Sequence, residues 1–479
     1  MSVAGSVTTP PSYTVPLSGD GAAPGAADIE ASEPGTTSNE SELPAYMPST
    51  RSSSTSRRRE NPEPKEFSYD VKNRKGKSIA VLIIIAERSY SKHIPTFLQD
   101  SPVKGRVHLS LDKPDVIQSV VLSIRGEYIT GANPDQQLIF LELSHPLWSQ
   151  ADGDPRSSNN VSEETSSSPR SHVASSSVRF SGKLEGEYTW PFSITLPKEV
   201  NVPCGKGKQL QTFTLPQTFN ERHAKGSINY EMSLRINRGR FQSDHRIPAK
   251  FGYIPISRPP PFPPLRRVSY QEGTTLLGPT IDPEGWYSDN PVTIKGTLFN
   301  NRTIHIVCTL CYTRGSLIPL CIRLESDDYQ ALDLLSTPKA IVVSLKRRIK
   351  YQSDPERFLG SLVKDTIDYS QPAVWWPSSE GIEDNVGRFR FLNGELHLKV
   401  DMKPTSGIGD FAIEYSVVLF PFKTVGFEPS IDEVLLEYPV GIVTSFSHGP
   451  RPRKHAPPGY EADARPSIDF LTFDRPAAN

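Results

Sequence analysis

Along most of the chain, apolar and polar residues alternate with a period of two, the spacing that sends successive side chains to opposite faces of a β-strand. Val107, Leu109 and Leu111 alternate with polar neighbours, and Val120, Leu122 and Ile124 do so around an intervening Val121. Tyr188, Trp190, Phe192, Ile194 and Leu196 form a longer face, opposed by Thr189, Pro191, Ser193 and Thr195. Ile228, Tyr230, Met232, Leu234 and Ile236 form another. In the second half Leu396, Leu398, Val400 and Met402 repeat the pattern, followed by Phe411, Ile413, Tyr415, Val417 and Leu419. Half-buried strands of this kind, separated by Gly, Pro and Asn turns, predict an all-β chain of antiparallel sandwiches. The longest apolar run, from Ile79 to Ala86, falls well short of the ~20 residues a spanning helix needs and reads as a buried strand.

The alternation is interrupted in ways that divide the chain. Residues 1–66 are rich in Ser, Thr, Pro, Gly and Ala with almost no aliphatic cluster, and predict a disordered tail. The stretch 149–177 holds 11 Ser in 29 residues between two apolar regions and reads as a flexible insertion within a domain. Ser257 to Pro264 reads S-R-P-P-P-F-P-P, a stiff polyproline segment with few backbone donors that suits a spacer better than a sheet. The expected plan is therefore one sandwich at 67–257, a Pro-rich linker at 258–270, a second sandwich at 271–447 and a disordered, Pro- and charge-rich tail at 448–479.

Composition supports this plan and narrows function. Pro supplies 45 of 479 residues, about 9% against a typical ~5%, while only 36% of the chain is hydrophobic. A formal net charge of −1 supplies no overall field to draw the chain to polyanions, so nucleic acid is not an expected partner. Four cysteines with no pairing pattern suit a reducing compartment. The first fifty residues carry Asp20, Asp28, Glu30, Glu33, Glu40 and Glu42 but no Lys or Arg, unlike a secretory signal or an organelle transit peptide.

Catalytic and metal motifs are weak. Gly76-Lys77-Ser78 resembles the end of a phosphate loop, but position 71, where the first glycine belongs, is Val71, and the segment precedes its strand instead of following one. His305, Cys308, Cys311 and Cys321 suggest a zinc set, yet on a strand His305 and Cys311 face away from Cys308. Trp375-Trp376 before Pro377 suits a buried aromatic anchor better than a sugar-stacking platform. No cofactor is implied.

Two tetrapeptides carry a binding chemistry. Pro10-Pro11-Ser12-Tyr13 and Pro457-Pro458-Gly459-Tyr460 both fit P-P-x-Y, and Leu43-Pro44-Ala45-Tyr46 is a weaker variant. Tandem prolines pre-set a polyproline II segment for the aromatic groove of a WW domain, and the tyrosine adds a specific contact. Arg266-Arg267-Val268-Ser269 has the spacing favoured by basophilic kinases, which makes Ser269 a candidate phosphosite at the entrance to the second sandwich.

Gly186-Glu187-Tyr188-Thr189-Trp190-Pro191-Phe192 through Leu196-Pro197 resembles the arrestin N-domain segment in which an aromatic-Pro-Phe strand ends in Leu-Pro, and Phe219 with Gly226 to Tyr230 is similar to its next strand. Tyr312 to Leu320 resembles an arrestin C-domain strand pair, and Tyr438-Pro439-Val440-Gly441-Ile442 its closing strand. Together with the P-P-x-Y tails, the subgroup implied by this resemblance is the α-arrestins. That resemblance implies a cytoplasmic, non-enzymatic adaptor, peripheral at the plasma membrane and endosomes. Such an adaptor brings a WW-domain HECT-class ubiquitin ligase to membrane transporters or receptors, its cargo, for ubiquitin attachment and endocytosis. The serine-rich insertion departs from the family pattern, and no charged interdomain cluster of the visual-arrestin kind is evident. A sorting or signalling scaffold acting without ubiquitin, and a β-sandwich enzyme or sugar binder, remain as alternatives.

Overall fold

The computed structural model describes residues 64–460, apart from 74, 88–92, 132–135, 157–179, 181, 205–208, 223, 240–241, 289, 297–301, 309–310, 314–315, 353–362 and 380–387. The first sandwich is built from β1 (Lys65–Lys72), β2 (Ser78–Ala86), β3 (Thr96–Leu98), β4 (Val103–Asp115), β5 (Ile117–Ile129), β6 (Gln137–Ser149), β7 (Leu184–Ile194), β8 (Glu199–Cys204), β9 (Gln209–Thr214), β10 (Phe219–Asn220), β11 (Ser227–Arg238) and β12 (His245–Ile254). One sheet runs β1-β2-β4-β7 and the facing sheet β3-β12-β11-β5-β6, with β10 on β11 and β8-β9 as a separate hairpin.

After α1 (Pro264–Glu272) the second sandwich follows: β13 (Tyr287–Ser288), β14 (Val292–Ile294), β15 (Arg302–Cys308), β16 (Cys311–Thr313), β17 (Leu317–Glu325), α2 (Tyr329–Leu335), β18 (Val343–Gln352), β19 (Val363–Tyr369), β20 (Val374–Pro377), β21 (Phe389–His397), β22 (Ser406–Ile408), β23 (Phe411–Leu419) and β24 (Leu436–Val443). Its sheets run β13-β15-β17-β21-β20 and β16-β24-β23-β18-β19, with β14 on β15 and β22 on β23. No helix among the described residues is long and apolar enough to cross a membrane.

The two sandwiches repeat one plan. In each, a short strand pairs parallel with the last strand, β3 with β12 and β16 with β24. In each, a buried tyrosine donates its hydroxyl proton to a carbonyl of the preceding connection: Tyr230 to Pro216 O at 2.6 Å and Tyr415 to Lys403 O at 2.7 Å. Thr218 accepts from Tyr253 N and Thr405 from Ile442 N, both at 2.8 Å, so the last strand is tied down identically. A buried phenol must find a partner, and this one fixes where the incoming loop crosses the sheet.

The period-two faces pack as expected. Leu109, Leu122, Ile124, Ile228, Tyr230, Met232, Leu234 and Ile236 are buried, as are Phe411, Ile413, Tyr415, Val417 and Leu419. Trp190 is half-buried, stacked between Tyr188 and Trp148. One pattern is shorter than predicted: β21 ends at His397, and Val400 is 77% exposed in the loop beyond it. Its alternation continues past the last ladder bonds, where Leu398 is still buried and Met402 packs against the core.

Two further expectations are corrected. Residues 258–270 are not a plain spacer. Ser257 N donates to Thr444 Oγ1 at 2.8 Å, Ser445 N to Ser257 O at 2.9 Å and Ser447 Oγ to Pro260 O at 3.1 Å, and α1 begins at Pro264. These polar partners come from the stretch just after β24, so prolines that lack donors still lie bonded along it through their carbonyls. The expected tail is likewise ordered from 448 to 460, whereas 461–479 lie outside the described residues. In the serine-rich insertion, 149–156 are placed, with Trp148 Nε1 donating to Gly153 O, and the rest of that stretch is outside the described residues.

Candidate functional site

The site begins with α1. Pro264 at its first position fits the fixed φ a helix start requires, and Gly273 at φ +76° ends it, its N–H bonding to Ser269 O. Nine residues make a marginal helix alone, so packing must hold it. The face it buries is unusual: Arg266, Ser269 and Tyr270 are inside, while Leu265 and Val268 are exposed. Arg266 donates to Gly285 O at 2.8 Å, lies 4.4 Å from the Trp286 ring centre and faces Asp282 at 3.9 Å. Trp286 in turn packs on Cys321 of β17.

The Arg266–Arg267–Ser269 expectation is corrected here. Arg266 is a buried anchor, Arg267 is exposed, and Ser269 is only 4% exposed, its hydroxyl donating to Leu265 O at 3.2 Å. In this fold Ser269 offers no phosphoacceptor at the surface.

Beside α1, the end of the described chain returns across β21. Glu395, on the outer side of that strand, is 1% exposed because residues 453–456 lie over it. Its Oε1 accepts from His455 N at 2.5 Å, the Ala456 N–H lies close by, and the buried Oε2 makes no hydrogen bond among the described residues. Burial raises the Glu395 pKa, opposed by these two N–H groups and Lys454. The His455 ring stacks on Tyr270 at 6.3 Å, and Phe262 meets the other ring edge-on at 5.1 Å. Burial, with Arg266 and Arg453 nearby, lowers the His455 pKa. Arg453 reaches toward Gln271 O, where a cation favours the helix C-terminus.

The Pro457–Tyr460 tetrapeptide follows immediately. Tyr460 N donates to Pro457 O at 3.1 Å and Gly459 has φ +95°, a β-turn with Pro458 and Gly459 at its corner. Pro457 is half-buried, Pro458 and Gly459 are exposed, and Tyr460 is 38% exposed. The other motif residues, Pro10, Pro11, Tyr13, Leu43, Pro44 and Tyr46, lie outside the described residues.

A second polar centre joins the sandwiches. Arg347 of β18 makes paired 3.0 Å bonds to Glu221, just past β10, and a 2.7 Å bond to Asp368 of β19. Although burial opposes its charge, Glu221 and Asp368 hold Arg347 firmly protonated. Phe411 packs on Tyr128 and Phe219 across the same junction. The pairing of Glu221 with Arg347 leaves no trace in sequence, because the partners are 126 residues apart.

The weaker motifs fall into structural roles. Gly76, at φ +81°, makes the turn between β1 and β2. Trp375 is buried over Gly394 opposite it, where an added Cβ would sit 2.6 Å from the ring. His305 and Cys308 lie on β15, but Cys311 lies on β16 of the facing sheet. Among the described residues no group of three His, Cys, Asp or Glu is placed to hold a metal ion.

Residues 87–250, about a third of the chain, match the family described as Arrestin (or S-antigen), N-terminal domain. The two sandwiches are arrestin-like. The matched stretch runs from just after β2 into β12 and so covers the first sandwich except β1, β2 and the end of β12. No curated protein matches the chain. Arrestin-fold proteins are generally non-enzymatic adaptors, and the match supports an arrestin-like adaptor or scaffold.

Proposed function

We propose that this chain is a non-enzymatic α-arrestin-type adaptor that recruits a WW-domain HECT-class ubiquitin ligase to membrane transporters or receptors. The two sandwiches provide the body that meets cargo, and Tyr13 and Tyr460 provide the ligase contacts, with Tyr46 as a weaker third. The ligase, not this chain, transfers ubiquitin, and the adaptor works from the cytoplasm, peripheral to the plasma membrane and endosomes. The observation that carries the reading is the recurrence of P-P-x-Y at both ends of an arrestin-like body, at 10–13 and 457–460. Single peptides of this kind bind weakly, but linked motifs engage several WW domains with avidity gains of about 10²- to 10⁴-fold when geometry permits.

The test is titration of the full chain with tandem WW domains from such a ligase. Tyr13→Ala and Tyr460→Ala should each weaken binding, and the double variant should lose far more than either. Undiminished binding in the triple variant that adds Tyr46→Ala would show that these motifs are not the ligase contacts, whereas a wild-type chain that binds no WW domain would favour a sorting or signalling scaffold acting without a ligase.

A further inference from the structure

We infer that the Pro457–Tyr460 motif is held shut: Glu395 and Tyr270 latch the segment before it onto the second sandwich, and a WW domain must displace this latch to bind. The inference rests on the WW-binding reading above and adds a control that the sequence motif alone does not imply.

Three observations carry it. First, the motif's backbone is in the wrong form. A WW groove takes a polyproline II segment, with φ near −75° and about 9 Å between residues three apart. Here the Tyr460 N–H to Pro457 O bond draws the ends into a β-turn, whose end Cα atoms lie within about 7 Å, and Gly459 sits at φ +95°. Second, the anchor is built and buried. Glu395 would be a solvent-side residue of β21, yet it is 1% exposed and its carboxylate Oε1 accepts the backbone N–H of His455 at 2.5 Å. Bonds from N–H to a buried carboxylate are among the stronger ones a chain can make. Third, the anchor is adjacent. Only Ala456 separates His455, stacked on Tyr270, from Pro457, so a partner extending the motif pulls directly on the anchored residues.

In this arrangement the apparent affinity of the motif is its free affinity reduced by the fraction of molecules in which it is released. The surface that α1 and β21 provide therefore sets how much of the C-terminal motif is on offer.

The experiment uses the full chain with Tyr13→Ala and Tyr46→Ala, so that only 457–460 reports, and a single WW domain from a HECT-class ligase as the probe. A synthetic peptide covering 450–465 gives the free affinity. The latch predicts that the full chain binds about tenfold or more weakly than the peptide and that Glu395→Gln moves it toward the peptide value. Hydrogen exchange on the unmutated anchor gives a second reading: the His455 and Ala456 amides should be protected alone and lose protection when the WW domain binds. Equal affinity of peptide and full chain, with Glu395→Gln without effect, overturns the latch and leaves the adaptor reading intact. Binding with both amides still protected overturns it as well. A peptide that does not bind at all removes the adaptor reading, and the latch's role falls with it.

Discussion

The two sandwiches follow the same strand plan, down to the matched hydrogen bonds of Tyr230 and Tyr415, but they finish their outer faces differently. In the first, the outer side of β4 and β7 stays at the solvent, where Arg106 pairs with Glu66 and Thr189 bonds His108. In the second, the equivalent side of β17 and β21 carries another layer, in which Arg266, Asp282, Cys321 and Glu395 are all buried. Matching a sheet to its neighbour requires only inward apolar residues, whereas covering its outer face with chain that is rich in Pro and charge requires polar anchors. The linker and the C-terminal segment therefore belong to the second sandwich, and the C-terminal motif inherits its placement from them.

The largest loss is expected from Arg266→Ala. It strips Gly285 O and the Trp286 ring of their partner and leaves the buried Asp282 without its opposite charge, bonded to the Gly285 N–H, at a cost of about 3–5 kcal/mol. Chemical denaturation should show the loss, whereas Arg106→Ala on the exposed outer face of the first sandwich should cost less than about 1 kcal/mol. Next is Trp190→Asp, which puts a carboxylate between Tyr188 and Trp148. Because Trp190 is half-buried, the expected loss of thermal stability is about 2–4 kcal/mol, less than for a core position. Arg347→Met tests whether the sandwiches unfold as one. It removes the bonds to Glu221 and Asp368 for about 1–3 kcal/mol and should broaden or split the calorimetric transition.

The smallest effect is a pH response in the first sandwich. Burial, then Arg238, holds the His245 pKa below its ordinary value, against opposing pulls from Asp115 and Asp244. Below about pH 6.5 the unfolded chain takes up a proton that the folded imidazole resists, so stability falls as pH falls through that point. His245→Gln should flatten the slope of melting temperature against pH between about 6.5 and 5. His455 contributes with the same sign in the second sandwich, and the raised Glu395 pKa with the opposite one.

What was legible in the sequence is what period-two alternation encodes. The strands around Leu109, Tyr230 and Tyr415 declare an inward face, and the tetrapeptides declare themselves without any fold. The α1 helix does not, because it buries Arg266 and Ser269 and exposes Leu265 and Val268, the reverse of an amphipathic signal. Glu395 is hidden for a related reason. Between Gly394 and Leu396 it reads as a solvent-side residue, and only the return of residues 453–456 makes it an anchor. Residues that hold one part of a chain to a distant part have no local pattern to betray them, and the same holds for Glu221 with Arg347.

Recruitment of a ubiquitin ligase through the tyrosine motifs remains our proposal for this arrestin-like body. Proximity labelling in cells, comparing the wild-type chain with the Tyr13→Ala, Tyr46→Ala, Tyr460→Ala variant, tests it most directly. The account predicts that HECT-class ligases are labelled by the wild type and lost from the variant, while the variant's thermal unfolding is unchanged. Equal labelling of those ligases by both chains would contradict it.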